Sequence, residues 1–367
     1  MVNTNAEDLI SAFVGGIIIG LAVTLNLAVY GRITGNSGIF NSLIKMSVKG
    51  GLRWKYSFLA GISSAGFLIY LITDEGKWKT NSFTLNFFDI KDRDSIIDLH
   101  VIGWILAGIL VGVGTKMGNG CTSGHGVCGI PRLSIRSITA VWVFMGSAIG
   151  FATFRHYFKF LSTNQSFGKT YEDTWTIIGG VLICIILVVF IGLTIYFLFK
   201  SEKKADKYEM PVSFVVGFIF GLGLVIGGMC RRSKIANFLT IYSNWDPSLA
   251  LVMCGAILVN VITFNLIIYK LKTPVFAPKL WIPQNKVVDA KLIWGAMCFG
   301  IGWGFGSLCP GPGMVDFFMI PHIIIWIPCL AIGQLGWEMT EKAYINYTKE
   351  TKESEEKFEP STNKMHT

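Results

Sequence analysis

Apolar runs recur along this chain, separated by short polar stretches that carry most of its charge. A helix needs ~20 residues to cross the hydrocarbon core of a bilayer. Nine runs meet or approach that length: 9–30, 54–73, 99–116, 136–155, 175–199, 211–229, 247–271, 287–308 and 322–338. Several are short and several end in glycine. Between the second and third runs, 73–99 reads as a long polar loop with aromatic residues. Residues 340–367 mix charges and read as a solvated tail. The pattern predicts an all-α polytopic membrane protein of about nine transmembrane helices.

Composition agrees. Hydrophobic residues make up 52% of the 367 positions, charged residues only 15%, and glycine occurs 41 times. The mean hydropathy is +0.54, where a soluble domain would sit near or below zero. Abundant glycine suits helices packed closely through small residues. Residues 1–10 carry Glu7 and Asp8 but no basic group, so the first run reads as a retained helix rather than a cleaved signal. The net charge of +9 suits loops facing anionic lipid. No Lys/Arg tract is interleaved with aromatics, which sets nucleic-acid binding aside.

Loop lysines and arginines orient the chain. Arg32, Lys45, Lys49 and Arg53 fall on one side, with Arg132 and Arg136, Lys200, Lys203, Lys204 and Lys207, and Lys272, Lys279 and Lys286. The other side has the near-neutral loops 74–98 and 156–174. The N-terminus is therefore expected outside a cell (inner) membrane and the C-terminus in the cytoplasm. Arg231, Arg232 and Lys234 fall on the wrong side, which suggests a functional field.

A repeat underlies the runs. Gly108-x3-Gly112, Gly217-x3-Gly221 and Ala296-x3-Gly300 are each followed nine residues later by cysteine: Cys121, Cys230 and Cys309. Gly16-x3-Gly20 starts the same way but reaches Val29. Small-xxx-small units let helices touch, and nine residues are ~13 Å of helix. The nine helices then divide as four, one and four, with the fifth inverting the second half. The expected organisation is a first membrane half at 1–174, a linking helix and basic loop at 175–210, a second half at 211–339 and the tail at 340–367. Inverted repeats with broken helices meeting near the midplane are a transporter arrangement. Such breaks read as short re-entrant helices lining a path.

The chemistry concentrates at the breaks. Gly118–Gly129 reads GNGCTSGHGVCG. Its glycines permit tight turns and expose N–H groups to an anion, and Thr122 and Ser123 are candidate caps for a short helix. Cys-x3-His-x2-Cys also resembles soft-metal ligation, while His125 has the plainer reading of a hydrogen-bonded core histidine. FGSLCPGPGM places Pro310 and Pro312 where they would end the eighth helix just after Cys309. GLVIGGMCRR places two glycines before Cys230 and Arg231 and Arg232 after it; the first repeat keeps Arg32. Arginines beside breaks attract an anion or snorkel to the interface. Asp246, Asp289 and Asp316 lie near helix ends, and Asp246-Pro247 reads as a helix start. Cys184, Cys254, Cys298 and Cys329, inside apolar runs, read as small buried hydrophobes. Neutral thiols suit a soft sulfur atom better than a hard oxyanion, so thiols flanked by arginines point to an anionic, sulfur-bearing substrate.

These stretches resemble a known family. GNGCTSGHGVCG…RLSIRS looks like the signature of the YeeE/YedE sulfur-transport family. GLAVTLNLAVYGRITGNSGIF, GLGLVIGGM…NFLTIYSNWDPSLALVMCGA and GAMCFGIGWGFGSLCPGPGMV also fit, so the resemblance covers most of residues 10–335. It implies nine spanning helices, short re-entrant helices and import of thiosulfate or a similar small sulfur anion. On it, Cys121, Cys230 and Cys309 would pass the substrate along. Val29 departs from a fixed set of cysteines, and Cys230 is the least assured of the three. The candidate pathway is Cys121, Cys309, Cys230, Cys128, His125, Ser123, Asn119, Gly120, Arg32, Arg231, Arg232 and Lys116. No catalysis, cofactor or resident metal is expected; the partners are the anion, the lipid bilayer and a soluble sulfur carrier or sulfurtransferase. Two alternatives stand beside this: a sulfur-relay enzyme forming a cysteine persulfide, and a soft-metal channel.

Overall fold

The computed structural model describes residues 6–44, 52–73, 77–80, 83–87, 98–163, 169–200, 203–241 and 245–358. Among the described residues twelve α-helices carry the fold: α1 (Ala6–Tyr30), α2 (Asn36–Ile44), α3 (Arg53–Ile72), α4 (Val101–Met117), α5 (Ile135–Phe158), α6 (Lys169–Lys200), α7 (Lys204–Ile226), α8 (Arg232–Leu239), α9 (Ser248–Asn265), α10 (Ala290–Gly306), α11 (Pro310–Val315) and α12 (Ile323–Phe358). A π-helical turn, Thr122–Val127, stands between α4 and α5, and a second, Leu266–Leu271, prolongs α9. Two small antiparallel ribbons, β1 (Lys77–Thr80) with β2 (Phe83–Asn86) and β3 (Asp98–Leu99) with β4 (Ser162–Thr163), lie at the loops.

Among the described residues eight helices are long and apolar enough to cross a membrane, and α10 with the segment from α11, bent by 53°, counts as a ninth when the bent pair is taken as one span. The helices are apolar around most of their circumference, the signature of a lipid-embedded bundle rather than of an amphipathic surface helix. This is an all-α polytopic membrane protein. The nine predicted runs correspond to α1, α3, α4, α5, α6, α7, α9, α10 and α12. The four short elements α2, the Thr122–Val127 turn, α8 and α11 fill the breaks between them.

The packing has a two-fold logic. α1 packs on α7 and α9, α3 on α7, α4 on α10 and α12, and α5 on α10. Exchanging α1 with α7, α3 with α9, α4 with α10 and α5 with α12 maps this set onto itself. α6 stands at the edge, touching α3, α7 and the turn after α11. Only 6% of its most apolar window is buried.

Several boundaries differ from the sequence reading. α6 and α7 start at Lys169 and Lys204, so the linking element is 169–203 rather than 175–210. Pro211 lies inside α7 instead of opening it. The polar turns before it are held by tertiary contacts: Tyr30 donates to the Ala205 carbonyl at 3.1 Å, and Arg32 pairs with buried Glu209 at 2.6 Å. α12 runs unbroken to Phe358, about 54 Å at 1.5 Å per residue, so 340–358 continues a spanning helix. Residues 359–367 lie outside the described residues, as do Lys45 and Lys49 and most of the loop 74–98. At Asp246-Pro247 the Asp246 carboxylate accepts the Ser248 N–H at 2.9 Å, opening α9.

Candidate functional site

Each of the four breaks turns on one residue with left-handed backbone: Gly31 (φ 68°), Asn119 (φ 58°), Gly228 (φ 70°) and Ser307 (φ 51°). That conformation ends a helix because the chain leaves the helical path there. Two positions later stand Ile33, Cys121, Cys230 and Cys309. The backbone thus sets Ile33, not Val29, beside the three cysteines. The spacing in sequence misled because the α1 break comes four residues later relative to its small-xxx-small pair. Val29 is still helical, and its carbonyl accepts from Phe276 at 2.8 Å. Likewise Pro310 and Pro312 do not end α10. Ser307 does, and Pro310 opens α11 at the position where its missing N–H is harmless.

The Thr122–Val127 turn joins two of the thiols. Cys121 precedes it and Cys309 precedes α11. Thr122 Oγ1 donates to Cys309 Sγ at 3.7 Å, and Ser123 Oγ lies 3.2 Å from Cys121 Sγ. Ser123 Oγ also accepts the N–H of Asn36, the first residue of α2, at 3.1 Å. These two hydroxyls were expected to cap their own short helix. They instead tie it to α2 and α11, since no side chain caps its first turn. The Cys128 thiol donates to the Thr34 carbonyl at 3.4 Å. All three thiols are buried and all eight cysteines are free.

His125 Nε2 faces the Gly118 carbonyl and Nδ1 faces Ser137 Oγ, each at 3.2 Å. A carbonyl only accepts, so Nε2 carries the proton and Nδ1 receives the serine hydroxyl, which describes a neutral imidazole. Gly120 is required beside it: a methyl there would sit 2.6 Å from His125 Nε2. Cys121, His125 and Cys128 turn to separate partners. Among the described residues no group of three or more His, Cys, Asp or Glu side chains is placed to hold a metal ion.

A cavity of about 750 Å³ leads to this turn from the face that carries the end of α1, the starts of α5 and α10 and the extension of α12. Five of the candidate residues, Arg32, Lys116, Asn119, Gly120 and His125, line it. Lys55, Arg132, Arg136 and Lys291 line it too and were not among the pathway candidates. Six cationic side chains thus face two carboxylates, Asp289 and Glu341. At its floor Gly35 and Gly124 approach each other, and a methyl on Gly124 would meet open space. Cys121, next in the chain to the lining Gly120, and Cys309, which Thr122 contacts, are 1% and 2% exposed and do not line the cavity. Several lining cations are steadied: Lys116 by Glu338 at 2.9 Å and Asn41 at 3.0 Å, Arg136 by Asp289 at 3.1 Å. Burial nudges the Asp289 carboxyl upward, but the Leu292 N–H and the Arg136 guanidinium outweigh it and hold it below the usual carboxylate range.

Cys230, Arg231 and Arg232 are not among the residues lining this cavity. Cys230 is fully buried, close to the Asp316 carboxylate. Arg232 donates to the Gly306 carbonyl at 3.3 Å, its guanidinium 4.4 Å over Trp104, and Arg155 donates to the Phe305 carbonyl. Two buried arginines therefore answer the exposed carbonyls at the end of α10. Arg155 gave no sequence signal, because it lies near the end of an ordinary apolar run. Of the four cysteines expected to be buried, Cys329 is, Cys298 is half-buried, and Cys184 and Cys254 are exposed on the bundle's outer surface. In a membrane protein that surface meets lipid, which accepts a thiol as readily as the core does.

The comparisons with known proteins follow this architecture. Residues 209–347 match a family of unknown function, DUF6691. A protein named "Probable transporter" from Xylella fastidiosa strain Temecula1 is 37% identical over 143 residues, which cover 38% of this chain and 90% of the relative. A second "Probable transporter" of the same strain is 29% identical over 129 residues, covering 35% of this chain and 86% of that relative. The chain belongs to the family of these probable transporters.

Proposed function

We propose that this protein is a membrane transporter that moves thiosulfate or a similar small sulfur-containing anion. The observation that carries the reading is the basic cavity ending on a glycine floor, with Cys121 next in the chain to the lining Gly120 and Cys309 in contact with Thr122. The names of its relatives and the apolar bundle support the transport class. The cavity's cations raise the local concentration of an anion. The glycines let it approach the backbone, whose N–H groups can receive its oxygens. Neutral thiols then offer weak, sulfur-selective contacts that bind without trapping. Passage requires the contacts of Ser123 with Asn36 and of Thr122 with Cys309 to open, since both sulfurs are closed from the cavity. No bond in the substrate needs to break.

On the orientation read from the loop charges, the N-terminus is outside and the cavity opens to the cytoplasm, where a soluble sulfur carrier would meet it. A membrane-impermeant label at an introduced Lys342→Cys tests this; reaction in intact cells would reverse the orientation. The function is tested by uptake of radiolabelled thiosulfate into proteoliposomes with excess unlabelled sulfate. Uptake should survive sulfate and fall at least about tenfold, ~1.4 kcal/mol, in Cys121→Ala and in Cys309→Ala. Unchanged uptake in both folded variants would defeat the thiol assignment. A sulfur adduct on either cysteine by mass spectrometry would move the reading to a persulfide relay.

A further inference from the structure

The bundle has no independent halves. Every extensive contact between long helices other than α6 joins residues 1–158 to residues 204–339: α1 with α7 and α9, α3 with α7, α4 with α10 and α12, α5 with α10. Among the described residues, α1, α3, α4 and α5 share no sizeable contact with one another, and neither do α7, α9, α10 and α12. Within each half only short elements link the long helices, as α2 does with α3 and α4 and α8 with α9 and α10, and the long helices of the other half fill the spaces between them.

The backbone contacts follow the same division. A methyl on Gly15 would lie 2.3 Å from the Gly227 nitrogen, one on Gly61 2.2 Å from the Phe214 carbonyl, and one on Gly112 2.2 Å from the Leu330 carbonyl. Going the other way, a methyl on Gly217 would lie 2.1 Å from the Phe58 carbonyl. Each of these approaches crosses between the halves. Lipid supplies no hydrophobic force between spanning helices, so close backbone packing of this kind is what associates them.

Charge makes the two faces complementary. The first half presents Arg32, Arg53, Lys116 and Arg136 to Glu209, Glu338 and Asp289 of the second, and Asp8 pairs the other way with Lys234 at 3.0 Å. Two copies of the first half would bring cation onto cation. α6 adds little to the seam, being buried over only 6% of its apolar window. The two relatives match over only 35–38% of this chain while being 86–90% covered themselves. Chains of about half this length therefore exist in the family.

We infer that residues 1–168 and 204–367 are complementary half-transporters held together without a covalent link. The seam is a protein–protein interface whose partner is the complementary half of the same chain, and α6 sets the second half's orientation and the one-to-one ratio. The inference rests on the packing, and its readout is association, so it stands or falls separately from the thiosulfate reading.

The test uses the full chain with one protease site inserted between Thr163 and Lys169 and a second between Lys200 and Lys204. The purified protein is cut in mild detergent and passed over a sizing column. The expected result is co-elution of the two large fragments one to one, with α6 lost. In the cut protein Gly217→Leu, which drives a side chain into the Phe58 backbone across the seam, should split the fragments, while Gly146→Leu, with open space beside it, should leave them together. Fragments that separate after the double cut but not after a single cut at 200–204 would make α6 a structural clamp and overturn the inference. Fragments that separate after either cut would overturn it too, as would Gly217→Leu fragments that stay together or Gly146→Leu fragments that separate.

Discussion

At the scale of single residues the site is a set of fits between small groups. Gly120 and Gly124 are four apart in one motif, yet their surroundings differ. A methyl on Gly120 runs into His125, while a methyl on Gly124 meets open cavity. Gly120→Ala should therefore push the imidazole off the Gly118 carbonyl and cost on the order of 1–3 kcal/mol of stability, read as a lowered midpoint of thermal unfolding in detergent. Gly124→Ala should leave that midpoint nearly unchanged and lower uptake by narrowing the floor. Equal stability losses in the two would contradict this geometry. Ile33 offers a second test, because it lines the cavity at the break that lacks a thiol. Ile33→Trp should fold normally and cut uptake about tenfold, ~1.4 kcal/mol in barrier. Unaltered uptake would remove Ile33 from the path.

At the scale of elements, the breaks are built the same way four times and finished differently. A left-handed residue ends each long helix, and a short helix follows. Seven residues after Cys121 and Cys309 stand Cys128 and Asp316, which close the first re-entrant turn and α11. One contacts the Thr34 carbonyl and the other the Cys230 thiol, so the two halves place a neutral group and a carboxylate at corresponding points. Helix starts are as informative. Asp289 caps α10 by accepting the Leu292 N–H at 3.0 Å and holds Arg136 at the cavity wall. Asp289→Ala should cost about 1 kcal/mol near neutral pH. The Asp289 carboxyl titrates below its ordinary range, so its contribution is full above that range and is lost as pH falls through the depressed value. The stability gap between wild type and variant should close on acidification. A gap that stays constant with pH would show that the ionised carboxylate is not what stabilises.

At the scale of the whole molecule, the cavity gathers charge from both halves, its cations coming from five separate helix ends or turns. No single stretch of sequence is strongly basic, yet six cationic side chains face two carboxylates there. Such a field is screened over ~10 Å at 0.1 M salt. Raising ionic strength should lower the apparent affinity for a transported anion more than its maximal rate. Lys116→Glu should do the same at low salt and also release Glu338 on α12. An affinity indifferent to salt and to this reversal would show that the cations only staple the bundle.

How much of this the sequence determined follows from the range of each force. Hydropathy over ~20 residues reflects a local requirement of the bilayer, so the long apolar helices were legible in the chain, with ends misplaced where tertiary contacts hold extra turns, as before Pro211 and beyond residue 339. The repeated small-xxx-small pattern disclosed the duplication, and the motif around Cys121 disclosed the break. Long-range contact decided the rest. Thr122 reaches Cys309, Ser123 reaches Asn36, and Arg232 turns to the end of α10 rather than to the cavity, across separations no local pattern encodes. Which cations share one cavity, and that Ile33 rather than Val29 stands with the cysteines, depend on where each helix stops and which neighbour it meets. Only the folded arrangement of both halves sets those two things.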